Sequence, residues 1–189
     1  TYSHYLKSTM AVEDALGIKI PYNAELVRTL MNAALFIHDH PVHFYHLHGV
    51  DWVDIVSALS ADEKKASELA FKYTDNPIGT GENELKKVKE TIAKFAKNPQ
   101  GLGPFANAYW GHKTFRFTPE QNLIALSHYL KALEMQRTAA QLMAIFGGKQ
   151  PHPQSLAIGG VTCVMDILNP ARMGEYLVKF QAMADFINN

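Results

Sequence analysis

The sequence holds a single cysteine, Cys163, which excludes an internal disulfide and says little about compartment. Charge of either sign is scarce too. Eighteen basic and 18 acidic residues cancel to a net charge of 0, so nothing draws the chain toward nucleic acid or an anionic membrane surface. No apolar run reaches the roughly 18 residues of a membrane-spanning helix, and no signal peptide opens the chain. Thr1 stands where an initiator methionine would, and a processed or excised start is expected. Internal repeats, low-complexity tracts and an internal domain boundary are all lacking. So is sustained two-residue alternation, which never exceeds about five residues. What remains is 189 residues, enough for a substantial core, with 47% hydrophobic against 19% charged residues. That balance is low in charge for a free-standing domain and implies a surface accustomed to being covered.

Histidine, by contrast, is plentiful and concentrated. Five of the nine histidines fall between His38 and His48, interleaved with Phe44, Tyr45 and Leu47 and neighboured by Asp39, Asp51 and Asp54. Buried polar groups must be paired, so a stretch this aromatic predicts a packed interior hydrogen-bond network. Direct metal binding is the alternative. His40 and His43 are three residues apart, as are His43 and His46, and each pair can share a helical face. Yet no H-x-x-x-H pair occurs, and a zinc-type site asks for three or four converging ligands. Five histidines spread over about three turns cannot all face one ion.

Helical periodicity dominates the rest. Leu6–Leu16 is loosely helical and stops at Gly17, a suitable C-cap. Pro21 holds Ile20 extended. Asn23 then caps a helix with apolar residues at Leu26, Leu30, Ala33/Ala34 and Ile37, a pattern that runs on through the histidines to Leu59. A helix of about 36 residues would be ~54 Å long, kinked where Pro41 removes a backbone donor. Ser60-Ala61-Asp62-Glu63 reads as a capping box opening a helix to Tyr73, followed by a loop over 74–81. Residues 82–97 form a lysine-rich amphipathic helix whose charges mark a solvated face. Residues 98–117, rich in glycine and aromatics, pack as an irregular segment in which His112 is a core or turn residue. Thr118-Pro119-Glu120-Gln121 starts a helix carrying Leu123, Leu126, Leu130, Leu133 and Leu142, with His128 as a core or interface residue.

That helix ends at Gly147-Gly148, where His152 then stands between Pro151 and Pro153. The glycines lack Walker spacing and no strand precedes them, which argues against a phosphate loop. Neither proline can join a regular helix, so the backbone is stiff and the imidazole is aimed; by its residues alone the segment reads as a rigid connector. Asn169-Pro170 caps a last helix to Ile187. The expected fold is mainly α, a helical bundle with a long kinked central helix and irregular Gly/Pro-rich connecting segments. Residues 1–189 form a single helical region in this reading.

His38–Trp52 closely resembles H-D-H-x-V-H-F-Y-H-L-H-x-x-D-W, a segment of the catalytic large subunits of nickel-iron and nickel-iron-selenium hydrogenases. Gly147–Gln154 resembles a second signature of that family, G-G-K-x-P-H-P-Q. Neither family cysteine motif, R-x-C-G-x-C or D-P-C-x-x-C, is present. The resemblance therefore implies an internal part of a larger large subunit. The thiolates that hold the Ni-Fe centre lie outside it, so no metal ligand is expected within this chain, and the chain alone is expected to be inactive. Cys163 matches neither motif and reads as a small buried apolar residue.

The resemblance also implies roles. His4 follows the second cysteine of the first motif in the family pattern and would donate a hydrogen bond to its sulfur. Asp39 matches the aspartate that lies over the open face of the metals, paired with an arginine from elsewhere in the large subunit. His152 would sit at the contact with the small subunit, near its proximal iron–sulfur cluster. From the residues alone, His4 reads as a frayed terminal residue and Asp39 as part of a buried polar network. The implied activity is reversible oxidation of molecular hydrogen to protons and electrons. These electrons pass to iron–sulfur clusters of the small subunit and on to a carrier such as a cytochrome, in the periplasm. A non-catalytic helical subunit of a related redox complex is the alternative, but such relatives are not expected to keep both signatures.

Overall fold

The computed structural model describes residues 2–98, 101–103, 105, 113 and 115–189, so His112 lies outside the described residues. Their elements are α1 (Tyr2–Ala15), α2 (Tyr22–Pro41), a π-helical segment (Val42–His48) running into a 3-10 turn (Gly49–Asp51), α3 (Ile55–Ala58), α4 (Glu63–Ala70), α5 (Glu82–Ala96), α6 (Pro119–Gly147), the strands β1 (Leu156–Ala157) and β2 (Gly160–Val161), α7 (Val164–Ile167) and α8 (Pro170–Ile187). The fold is mainly α, as the periodicity predicts. Among the described residues no helix is long and apolar enough to cross a membrane. The chain forms two compact units: residues up to His40 with Met135–Asn188, and Pro41–Glu134 with Asn189.

In the first unit, α1 closes on Gly17 at φ +66°, with the Ile18 N–H on the Glu13 carbonyl (2.8 Å) and the Gly17 N–H on that of Asp14 (3.1 Å). This paired ending needs a left-handed residue, which glycine supplies without cost. Asn23 does not cap α2; the Pro21 carbonyl takes the Ala24 and Glu25 N–H groups instead. The buried face of α2 includes Ala24, Val27, Arg28, Met31 and Ala34, while Leu26 is exposed. Apolar residues at helical spacing lie on more than one face, so pattern alone could not choose between them. Arg28 decides. Its Nη1 and Nη2 donate to Glu13 of α1 at 2.8 and 2.7 Å, and Nη2 also reaches the carbonyls of Ala157 (2.8 Å) and Gly160 (3.0 Å). Those carbonyls belong to the antiparallel β1–β2 hairpin, whose Gly159 N–H donates to Glu13 Oε1 (2.8 Å).

Tyr2, Met31, Leu142, Met143, Phe146, Tyr176 and Met183 fill the core around this pair. Each fully buried large apolar side chain contributes roughly 1.5–3 kcal/mol. The Tyr2 hydroxyl donates to the Arg28 carbonyl (3.2 Å) and that of Tyr176 to the Leu30 carbonyl (2.9 Å); burial pushes both phenols up to about 12. Asn169 caps α8 as predicted, accepting the Ala171 N–H at 3.0 Å. After α6, Gly148 at φ +79° turns the chain, and the Gln154 N–H returns to the Gly147 carbonyl (2.7 Å). A Cβ on Gly147 would lie 2.8 Å from that of Pro153, so this close approach also requires glycine.

In the second unit the expected continuous helix to Leu59 is cut short. Pro41 is itself helical (φ −61°, ψ −38°), and the chain widens into the π segment, tightens into the 3-10 turn and leaves helical space at Trp52 (φ −125°). Proline offers no N–H and its ring crowds the carbonyl four residues back, so a wider turn is how the chain stays helical past it. Asp54 caps α3, accepting from Val56 and Ser57 (3.0 and 3.1 Å). The cap of α4 is Asp62, which accepts the Lys65 N–H (3.0 Å); Ser60 instead turns its hydroxyl back to the Ser57 carbonyl (2.8 Å). α5 buries Leu85 and Ile92 against Ala58, Ala61, Leu123 and Leu126. Lys89 departs from the solvated face expected for it: its long stem carries Nζ to the Ala61 carbonyl (2.6 Å) and to Glu63 (3.0 Å). Thr118 and Gln121 form the reciprocal box that opens α6 (2.9 and 3.3 Å).

Glu13→Gln leaves Arg28 with an uncompensated charge. The pair borders an open cleft, so the low end of the cost of breaking a buried pair is expected, about 3 kcal/mol in denaturant melts. The hydrogen bonds from Arg28 hold the Glu13 carboxyl below its ordinary 4.5. A depressed carboxyl stabilises the fold fully above that ordinary value, and its contribution is lost as pH falls through the folded value. The acid slope of stability should therefore shrink in Glu13→Gln; an unchanged slope would assign it to other groups. Gly147→Ala should cost about 1–3 kcal/mol in the same melts, because Pro153 is buried and hemmed in.

Candidate functional site

The histidine cluster is laid out by Pro41. Upstream, in the first unit, His38 Nδ1 lies 3.2 Å from Asp39 Oδ1, and the Asp39 side chain is 61% exposed. His40 Nδ1 bonds the Phe36 carbonyl (2.8 Å), and its ring lies over that of Phe36, 4.0 Å between centroids. Downstream, in the second unit, His46 pairs Nε2 with the Tyr129 carbonyl (3.2 Å) and sets its ring edge-on to that of Tyr129. His43 and His48 lie ring against ring at 4.6 Å. The packed interior network expected here is not what forms. His40, His43 and His48 are exposed and no residue of the π segment is buried, while Asp54 is spent on the α3 cap. The reason is local: bends at Pro41 and Trp52 give each ring its own neighbour before the rings can converge.

Sequence reasoning missed an apolar cavity in the second unit. About 320 Å³ in volume, it is walled by Phe44, Tyr45, Trp52, Phe117, His128 and Tyr129. His128 is thus the packed residue expected of it. Burial holds its imidazole below the ordinary 6.5, and burial raises the Tyr45 and Tyr129 phenols. The signal was the alternation of aromatics with histidines over 44–52, but which of them face one space depends on the π register.

His4, Asp39 and His152 all belong to the first unit and all are exposed. No hydrogen bond or ion pair joins them among the described residues. His4 lies in the first turn of α1. His152 follows the cis Gln150–Pro151 peptide and has φ +58°; it is exposed, while its neighbour Pro153 is buried. A left-handed conformation is uncommon outside glycine, though histidine enters it more readily than most residues.

A Ni-Fe centre needs converging thiolates, and this donor set does not fit one. Cys163 is the sole cysteine, is buried, and has its thiol raised by that burial, which makes it a poor ligand. Among the described residues no three His, Cys, Asp or Glu side chains converge to hold a metal ion.

Comparison with known proteins agrees with the two sequence signatures. The family profile of the nickel-dependent hydrogenases matches residues 1–189. The quinone-reactive Ni/Fe-hydrogenase large chain of Wolinella succinogenes is 66% identical over 188 residues, all of this chain and 32% of that one. The hydrogenase-1 large chain of Escherichia coli is 43% identical over 194 residues, 98% of this chain and 32% of its own length. Among solved structures, the reduced, active Ni-Fe-Se hydrogenase of Desulfomicrobium baculatum matches with a TM-score of 0.59 and 25% identity, covering 100% of this chain and 30% of that one. The chain thus spans about a third of the length of the relatives it matches. With the profile running over every one of its residues, the chain belongs to the nickel-dependent hydrogenase family.

Proposed function

We propose that this chain is part of the catalytic large subunit of a nickel-iron hydrogenase, the enzyme that reversibly oxidises molecular hydrogen to protons and electrons. The observation that carries this reading is the unbroken family match over residues 1–189. Residues 1–189 are one helical region of that larger subunit. The cysteines that hold the Ni-Fe centre belong to its remainder, and the segment by itself is inactive. Electrons leave for the iron–sulfur clusters of a partner small subunit and then for a carrier such as a cytochrome, in the periplasm.

This chain's own residues then position, handle protons and contact partners. Asp39 offers an exposed carboxylate at the end of α2 with His38 as its neighbour, free to pair with an arginine from the rest of the subunit. His4, exposed on α1, can donate to a cysteine sulfur of the adjoining motif. His152 is exposed on the turn after α6, next to the buried Pro153, which suits contact with the small subunit and a hydrogen bond to a cluster sulfur.

In the complete enzyme, Asp39→Asn should lower turnover by about 100-fold or more, the scale of a lost proton-handling group, with nickel and iron content near normal. Metal lost in step with activity would make Asp39 structural. His152→Ala removes a donor that stabilises the reduced cluster, so the cluster should become harder to reduce and electron delivery to an acceptor should slow. Hydrogen–deuterium exchange needs no electron exit and should persist. An equal fall in exchange and electron delivery would remove His152 from the cluster contact.

A further inference from the structure

The histidines differ in what their ring nitrogens do. His38, His40 and His46 each have a polar neighbour for one nitrogen, and His128 has the backbone of Ile78. His43 and His48, both exposed, engage neither nitrogen in a hydrogen bond among the described residues. They are five residues apart, a spacing that an α-helix would set about 140° apart around its axis. The π segment closes its hydrogen bonds five residues back and stacks them, so the centroids are 4.6 Å apart with the rings inclined at 43°. The ring of Trp52, 6.1 Å from that of His48, flanks the pair.

We propose that His43 and His48, both exposed in residues 1–189, form a site for one late first-row divalent cation (nickel, copper or zinc). Metal–nitrogen bonds of about 2.0–2.1 Å at a tetrahedral or square angle put two imidazole centres about 4.5–5 Å apart, a range that contains the spacing of this pair. The broad outer torsion of histidine lets one nitrogen of each ring turn to a common point with little backbone movement. Imidazole suits these cations and not magnesium or calcium. Two protein ligands leave the remaining positions to water, so the site exchanges its metal, and copper(II) binds most tightly. The proposal rests on local geometry alone and stands or falls apart from the hydrogenase reading.

Titration calorimetry of the untagged chain with nickel(II) chloride and copper(II) chloride tests it, alongside His43→Ala, His48→Ala and His40→Ala. The wild type should show one saturable site. His43→Ala and His48→Ala should each weaken it by more than the roughly tenfold that losing an outer-shell partner costs. His40→Ala should leave it unchanged, because Nδ1 of His40 is committed to the Phe36 carbonyl. Electron paramagnetic resonance of the copper form should count two imidazole nitrogens in the wild type and one in His43→Ala. The site does not exist if the wild type binds no more tightly than His43→Ala, if His40→Ala weakens binding equally, or if the copper spectrum is the same with and without His43.

Discussion

The bidentate pair of Glu13 and Arg28 is the contact on which the first unit depends, because three separated parts of the chain end on it. α1 brings the carboxylate, α2 the guanidinium, and the β1–β2 hairpin contributes two carbonyls and the Gly159 N–H. A charge withdrawn from water must be answered by partners in good geometry, so these segments cannot shift independently. The pair also fixes the rotation of α2. Once Arg28 faces Glu13, Met31 and Ala34 become core, while Leu26, equally apolar, is left outside. The hairpin held in this way follows directly on the turn that presents His152, so an ion pair far along the sequence supports that turn.

A second constraint is Pro41. A proline inside a helix forces a kink, a break or a wider turn, and here the chain takes the wider turn. The change of register determines how the histidines are used. His38 and His40 keep partners on α2, His46 reaches α6, and His43 and His48 are brought ring to ring. The same segment turns Phe44 and Tyr45 toward the cavity that His128 and Tyr129 line from α6.

The surface carries a further message. Tyr22, Phe36, Tyr73, Leu168 and Val178 are among the large apolar side chains left exposed. Such surface usually marks contact with other protein. The chain spans about a third of the length of its relatives, and on the proposed reading the remainder of a large subunit would supply that contact. The scarcity of charge in the composition points the same way, since residues destined for cover have little use for charge.

Local rules were legible in the residues. The Gly17 ending, the Thr118/Gln121 box, the Asn169 cap and the amphipathic span of α5 each depend on groups within a few positions of one another, and each stands where the pattern puts it. Family membership was legible too, because two contiguous signatures are independent of how the chain packs. The buried face of α2, the cap of α4, the inward reach of Lys89 and the fate of the five histidines were not. Arg28, Lys89 and His46 turn on partners distant in sequence: Glu13 and the hairpin, Ala61 and Glu63, and Tyr129. The α4 cap and the other histidines turn on a choice between near neighbours, Asp62 over Ser60 and the π turn over the α turn, that the pattern leaves open. The sequence by itself determined the helices, most of their ends and the family. Only the tertiary structure decided which of several apolar faces is buried and which polar groups meet, because those choices follow from long-range pairing of charges and hydrogen bonds that periodicity does not encode.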